Sequence, residues 1–539
     1  MFCKDNGLSL NIPRRDFIPM PFFQFSLSDI LLSVKHLKDK TSKTPESIPA
    51  YFIKRIIKNI ALPLKFIFNM SLLTNSIPTQ WKGALITPIF KKGNRSKPLN
   101  YRPISQTSCF SRIFEAILHN YILYHLTITN NLLTKHQFGF LPNKSTCSQL
   151  LDCYFNWAVS YHKNNKMSVI YTDFRKAFDT VSHVKLLSIL ESYGIHKIAT
   201  EWIKNFLLNR NQQVIVGKEI SMPVEVSSGV PQGSVLRPLL FLIFINDICS
   251  TASPLQGSGG LRLYADDAKL FSTDQALLQQ SINSLHSWTI EHQLSLAPEK
   301  CVILDISKKN CNHPESTFQL GSNILTHCHE VKDLGIYFSS NLSFDYHINH
   351  IYKQAAARSY QILKCTKTRN IWTLIKLFKT YVRPKVESNS PIWSPHGLKG
   401  QIDKIEKVQR RYTKIACNRC GIPFESYEDR LFKLNLLSLQ HRRAYFDLVY
   451  LFKIVKGISD INFEDYFRYE YCDYNLRGSI CKIRPLHNFK NCHWDNNFFH
   501  RSCKWWNKLP VSLTSITSIN LFKLRLRTID FGGLLNTVQ

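Results

Sequence analysis

The sequence predicts an α+β protein, and three observations carry that. The stretch Leu261-Arg262-Leu263-Tyr264-Ala265-Asp266-Asp267-Ala268-Lys269-Leu270-Phe271 sets two short apolar runs around adjacent carboxylates. That is the pattern of a β-hairpin turning at Asp266 and Asp267. A second apolar run, 169–172, ends at Asp173, as a buried strand opening onto a cleft would. Around both lie stretches with apolar residues three and four apart, the period of helices that pack by one face.

Composition bounds the function. The chain has 539 residues, 44% of them hydrophobic, which is enough for real cores. Its formal charge is +31, from 69 Lys and Arg against 38 Asp and Glu. Such an excess points to a polyanionic partner, nucleic acid first. The longest unbroken apolar run, 239–245, is far short of the ~20 residues a membrane span needs, so no crossing is expected. Residues 1–21 carry Lys, Arg and Asp and lack the apolar core of a signal peptide. The 15 cysteines are odd in number and scattered, as reduced thiols are. Cys417 and Cys420 have a C-x-x-C spacing, but Cys472, Cys481, Cys492 and Cys503 lie too far apart to complete a zinc site.

In chain order, a capped amphipathic helix is expected over 28–38 and a second over 53–73, interrupted at Pro63. A strand over 84–90 leads into the basic turn Lys91-Lys92-Gly93-Asn94-Arg95, followed by Tyr101-Arg102-Pro103-Ile104-Ser105. A basic hairpin beside Arg-Pro reads either as a triphosphate clamp or as a solvated basic loop. Helices follow over 111–126 and 147–162, separated by the turn-rich segment 137–146. After the strand 169–172 come a helix over 183–193 and short strands at 214–216 and 224–226. The Gly/Pro turn 228–234 precedes an apolar helix over 239–248, and a Gly/Ser loop over 253–260 delivers the chain to the hairpin. Beyond it lie a helix (277–293), a strand (302–306), a turn and strand (331–338), a basic helical region (343–455) and a basic, aromatic-rich tail (456–539).

Asp173, Asp266 and Asp267 carry the chemistry. Neighbouring carboxylates each disfavour ionisation of the other, and a hard divalent cation removes that cost. If the hairpin pairs beside the strand 169–172, the three converge. A cluster of this kind can hold two Mg²⁺ about 3.5–4 Å apart for an in-line displacement of pyrophosphate.

A set of ordered motifs sharpens this. Asp173-Phe-Arg-Lys-Ala-Phe-Asp179, Gly229-Val-Pro-Gln-Gly-Ser-Val-Leu236 and Tyr264-Ala-Asp-Asp267 are preceded by Ile89-Phe-Lys-Lys-Gly93 and Tyr101-Arg-Pro-Ile-Ser105. Asp333-Leu-Gly-Ile336 follows them. In this order the chain resembles the reverse transcriptases of non-LTR, jockey-like retrotransposons. The resemblance spans residues 80–340. It runs on more weakly through Ser390-Pro-Ile-Trp-Ser-Pro395 and Trp505-Trp-Asn-Lys-Leu-Pro510.

The resemblance implies a right-hand polymerase. An N-terminal helical extension would occupy 1–80, fingers and palm 81–340, a thumb-like helical region 341–455 and a basic C-terminal region 456–539. It implies an RNA-directed DNA polymerase with an RNA template, a DNA primer or nicked target, dNTPs and two Mg²⁺ (or Mn²⁺), and no membrane partner. A nuclear and cytoplasmic ribonucleoprotein is the expected setting. By motif match Asp173, Asp266 and Asp267 would hold the metal. Phe178 would exclude a ribose 2′-hydroxyl. Phe174, Gln232, Gly233 and Tyr264 would line the nucleotide pocket, and Lys91, Lys92 and Arg102 would meet the triphosphate. Lys300 matches a lysine that protonates pyrophosphate, and equally reads as a solvated lysine. Arg237 stands where the family has Gly, which predicts a strained turn. An aromatic is usual where Asn389 stands. No endonuclease is expected in residues 1–80, so a truncated copy is the reading. The alternatives are an inactive relic that only binds nucleic acid and a domesticated polymerase.

Overall fold

The computed structural model describes residues 6–7, 10–39, 41, 44–46, 48–251, 259–308, 317–470, 482–488 and 497–529. Cys472, Cys481 and Cys492 lie outside them. Nine strands organise the first part of the chain: β1 Gly83–Phe90, β2 Tyr101–Thr107, β3 Met167–Thr172, β4 Arg210–Val216, β5 Glu219–Ile220, β6 Val224–Val226, β7 Gly260–Tyr264, β8 Asp267–Ser272 and β9 Val302–Ile306.

One sheet runs β9-β3-β8-β7, with the short strand Thr326–His327 beyond β9. β3 is almost wholly buried and pairs antiparallel with both neighbours, Thr172 opposite Ala268 and Tyr171 opposite Val302. A central strand covered on both faces must satisfy its polar side chains internally, and here the Ser168 hydroxyl donates to Asp305 at 2.6 Å and the Thr172 hydroxyl to Ala268 O at 3.0 Å. The second sheet joins β2, β1, β4 and β5, with β6 also on β4. Pro103 sits in β2, at the edge of this sheet, where a missing N–H is tolerated.

Two apolar cores flank the first sheet. One contains Ile170, Leu263 and Leu270 together with Phe25, Phe68, Phe114 and Trp202. Phe114 stacks on Trp202 at 4.1 Å and meets Phe25 edge-on at 4.9 Å, so the N-terminal helices share this core. The other contains Val169, Phe271 and Leu304, then Trp157, Phe338, Tyr412, Phe452, Phe499, Trp506 and Phe522. Helices on both sides of residue 455 therefore bury against the same face. Arg262 on β7 is ion-paired with Asp152, whose other oxygen accepts from the Tyr466 hydroxyl at 2.6 Å.

Pro63 does not interrupt its helix, which runs unbroken as Ala50–Thr74. The proline ring is on the exposed side, where the carbonyl freed one turn back is left to water. By length and composition alone this helix is apolar enough to cross a bilayer, contrary to the expectation from unbroken runs. Here Ile53, Ala61, Leu64, Phe68 and Leu72 are packed into the first core, while Leu62 and Phe66 are exposed.

Candidate active site

The pairing of β3 with β8 brings the carboxylates together. One residue past the Thr172–Ala268 pair, Asp173 and Asp267 leave the ladder at the same end. The hairpin turns one residue earlier than expected. Tyr264 pairs with Asp267, so Ala265 and Asp266 form the two-residue loop and Asp267 begins β8. Ala265 is left-handed, φ 56°, at a position that favours Gly. Gln137 holds it there: its Oε1 accepts from Ala265 N at 2.9 Å and Gly139 N at 2.8 Å. A Cβ on Gly139 would lie 2.5 Å from Ala265 N, so only Gly lets the segments approach.

Electrostatics mark the cluster. Burial raises Asp266 above the usual carboxylate range, and Asp173 adds to this while Arg237 opposes it. Asp267 is pushed up to about 6, first by burial and then by Asp266, Asp333 and Asp173. Lys269 works against that shift; it is buried in an ion pair with Asp333, which the downstream Asp333-Leu-Gly motif supplies. Asp173 Oδ2 lies 3.2 Å from Lys300 Nζ, both half exposed. Among the described residues no three acidic, imidazole or thiol groups are already closed around one point. Uncompensated carboxylates repel, and Lys300 serves Asp173 as counter-ion. The all-oxygen donor set and the mutual repulsion fit a hard divalent cation.

A cavity of about 210 Å³ is walled by the second sheet, the segment after β3 and the loop before the helix Arg237–Ile245, and is lined in part by Pro103, Ser105, Lys176, Asp179, Gln232 and Arg237. Gln232 Oε1 is buried in this wall without a partner among the described residues. Gly233, φ 81°, packs on β2, where a Cβ would meet Ser105 O at 2.6 Å. Glu115, fully buried on the helix Cys109–Tyr124, accepts from Val235 N at 2.7 Å and from the Ser234 hydroxyl, fixing to that helix the loop that leads into the helix Arg237–Ile245. Phe178 stacks on Phe241 at 4.1 Å and meets Phe140 edge-on at 6.3 Å, half-buried.

The structure corrects the expectation for Phe174 and Arg237 and places the other residues singled out in the sequence. The Phe174 ring is 4% exposed and part of the first core, so it does not line the pocket. Arg102 is on β2 beside the lining residue Pro103, and strand alternation turns it to the other face. Lys91 and Lys92 are exposed beyond the end of β1. Tyr264 is half-buried at the end of β7. Arg237 is not strained. It begins the helix Arg237–Ile245 and is absent from the positive-φ residues. Its Nη2 meets Asp179 Oδ1 at 3.0 Å and its Nη1 donates to Val230 O at 2.7 Å. Gln137, Glu115 and Lys176 were not singled out by sequence; only the turn residues around Gln137 hinted at its segment.

Comparison with known proteins agrees with this geometry. Residues 89–338 match the family model for reverse transcriptase (RNA-dependent DNA polymerase). The chain is 27% identical over 426 residues to a probable RNA-directed DNA polymerase from transposon BS of Drosophila melanogaster, covering 75% of this chain and 45% of that protein. It is 26% identical over 418 residues to the RNA-directed DNA polymerase from mobile element jockey of the same species, covering 74% and 45%. A type-1 retrotransposable element R2 polyprotein of Popillia japonica is 26% identical over 261 residues, covering 47% and 36%. The chain thus spans less than half the length of these curated relatives. The motif order, the paired carboxylate strands and these matches agree: residues 89–338 carry a reverse transcriptase domain, and the chain is similar to the RNA-directed DNA polymerases of mobile elements such as BS and jockey.

Proposed function

We propose that this chain is the RNA-directed DNA polymerase of a non-LTR retrotransposon, extending a DNA 3′-hydroxyl on an RNA template with deoxynucleoside triphosphates. The observation that carries the reading is the register of β3 on β8, which ends both strands at carboxylates. In this reading the sheet β9-β3-β8-β7 is the palm and the sheet around β1 belongs to the fingers, together covering 81–340. Residues 341–455 are the thumb, preceded by the extension 1–80 and followed by the basic region 456–539. A ribonucleoprotein in nucleus and cytoplasm is part of the proposal.

Asp173, Asp266 and Asp267 would hold Mg²⁺ or Mn²⁺, as their crowding and oxygen donors favour. Bound there, divalent cations supply activation of the primer hydroxyl and charge for the departing pyrophosphate. Lys300, 3.2 Å from Asp173, is the candidate proton donor to that leaving group. Phe178, backed by Phe241, is the wall against a 2′-hydroxyl. Gln232 offers its unpartnered carbonyl to the nucleotide or template. Lys91, Lys92 and Arg102 add positive potential along the triphosphate's approach.

Primer extension on an RNA template with Mg²⁺ tests this. The wild type should extend, and Asp266→Asn should not, while still binding an RNA–DNA hybrid. An inert wild type would sink the polymerase reading; an active Asp266→Asn would sink the metal assignment. The rival reading, an inactive nucleic-acid-binding relic, drew on a strained Arg237, and Arg237's helical backbone gives it no support.

A further inference from the structure

A cavity of about 800 Å³ lies outside the candidate active site and shares no lining residue with the cavity there. Its walls come from the turns 378–386 and the helices Ser390–Trp393, Leu439–Val455 and Ile519–Leu526. Six cations line it, Lys379, Arg383, Arg442, Lys453, Lys523 and Arg527, against one carboxylate, Glu387. The chain as a whole has 69 cations to 38 carboxylates, so the cavity is far more one-sided than the protein.

Glu387 is already taken. Arg442 grips it with both Nε and Nη2, the latter at 2.9 Å, and Arg383 Nε is 3.6 Å away. Lys379, Lys453, Lys523 and Arg527 have no carboxylate partner among the described residues. Lys379, Lys453 and Lys523 are half-buried, so their mutual repulsion is only partly screened. A fully buried hydroxyl, Ser390 Oγ, also lacks a partner among the described residues and lies in the same wall. Unneutralised cations and an orphaned hydroxyl around one concave space want an anion with several oxygens.

Shape and rings narrow the class. The volume is that of a drug-sized site, too small for a duplex and enough for a short run of single strand. The Tyr445 ring lies on the wall, and ring faces accept stacked bases without regard to sequence. We propose that this cavity is a second nucleic-acid site, which takes consecutive phosphates of a single-stranded segment on Lys379, Lys453, Lys523 and Arg527. It goes beyond the polymerase reading and is tested by binding alone, without primer or dNTPs, so its failure leaves that reading untouched.

The experiment titrates the full chain into a short fluorescein-labelled oligouridylate and follows anisotropy over a salt series. Lys453→Gln with Lys523→Gln should weaken binding about tenfold or more. It should flatten the slope of log affinity against log salt by about 1.4, since each lost single-strand phosphate contact accounts for roughly 0.7. Lys453→Arg should keep the affinity, and Arg527→Gln, at an exposed position, should weaken it without a change in melting temperature. Lys58→Gln with Lys218→Gln removes equal charge elsewhere and should have a smaller effect. Equal losses from the two double variants, or no change in slope, would overturn the proposal. Inositol hexakisphosphate, a compact polyphosphate, should displace the strand from the wild type. Tight inositol hexakisphosphate binding that depends on Lys453 and Lys523, with strand binding that does not, would overturn the nucleic-acid assignment.

Discussion

The guanidinium of Arg237 lies 4.7 Å from the centre of the Phe178 ring. The same group is bonded to Asp179 and to the carbonyl of Val230, so one side chain ties the segment after β3 to the loop before its own helix. Its neighbour across that loop, Gly229, accepts no other residue, because a Cβ there would lie 2.6 Å from Asp179 O.

Arg237→Gly should therefore destabilise the protein. A cation–π contact, an ion pair and a backbone hydrogen bond are lost together, on the order of 1–3 kcal/mol in all. Chemical denaturation checks this, and a gain in stability would contradict it. The variant should also accept ribonucleotides more readily, because Phe178 loses its clamp.

Phe178→Val separates packing from selection. A half-buried ring stacked on Phe241 is cut down, so stability should fall by about 1–3 kcal/mol. If Phe178 guards the sugar, the ratio of rNTP to dNTP incorporation should rise as well. A lowered melting point with an unchanged ratio would leave Phe178 as packing alone.

Gln137→Ala should loosen the turn that carries Asp266. Two backbone N–H groups lose their acceptor in a buried setting, roughly 2–4 kcal/mol. Ala265→Gly works the other way at the same turn: glycine adopts the left-handed conformation freely, and stability should rise by up to ~1 kcal/mol. Urea unfolding of both variants, alone and combined, measures the coupling.

Asp267→Asn should raise the melting temperature in a chelating buffer while abolishing extension. It removes one of three crowded, mutually repelling carboxylates with little change in shape. A lowered melting temperature would mean that the charge is neutralised by a group other than a metal.

Two histidines should weaken the fold as the pH falls from 6.5 to 4, against an opposite contribution from Asp267 below about pH 6. Burial pushes both His136 and His347 down to about 4, from an ordinary value of 6.5. In that window the unfolded chain binds protons at these histidines that the folded protein does not, so their contribution to stability rises with pH and levels off above 6.5. His347, 2% exposed, is the cleaner probe. His347→Gln should flatten part of the slope, read as melting temperature against pH.

The hairpin that carries Asp266 and Asp267 was legible because its apolar runs and its turn residues agree, and only the exact loop pair slipped by one. β2 was not, since Pro103 argues against a strand and only an edge position permits it. Pro63 misled in the same way, because its solvent-facing side decides whether the helix continues. Phe174 was carried by its neighbour Asp173, yet successive residues past a strand end point apart. Arg237 was read as a misfit at a glycine site; no local pattern shows that Asp179, Phe178 and Val230 surround it. Gln137 lies 128 residues from Ala265, and a bond of that reach leaves no periodic trace.

The shared second core has a consequence for synthesis on the ribosome. β3, β8 and β9 are complete once residue 306 has emerged, and Trp157 upstream already meets Phe271, but the far side of the same core needs Phe452, Trp506 and Phe522. At ~5–20 residues per second the nascent sheet waits on the order of ten seconds or more for its cover. During that wait the core is unfinished, and its uncovered apolar side chains are open to other nascent chains and to chaperones. Codon choice and pausing between residues 306 and 522 would then set yield more strongly than any substitution at the carboxylates.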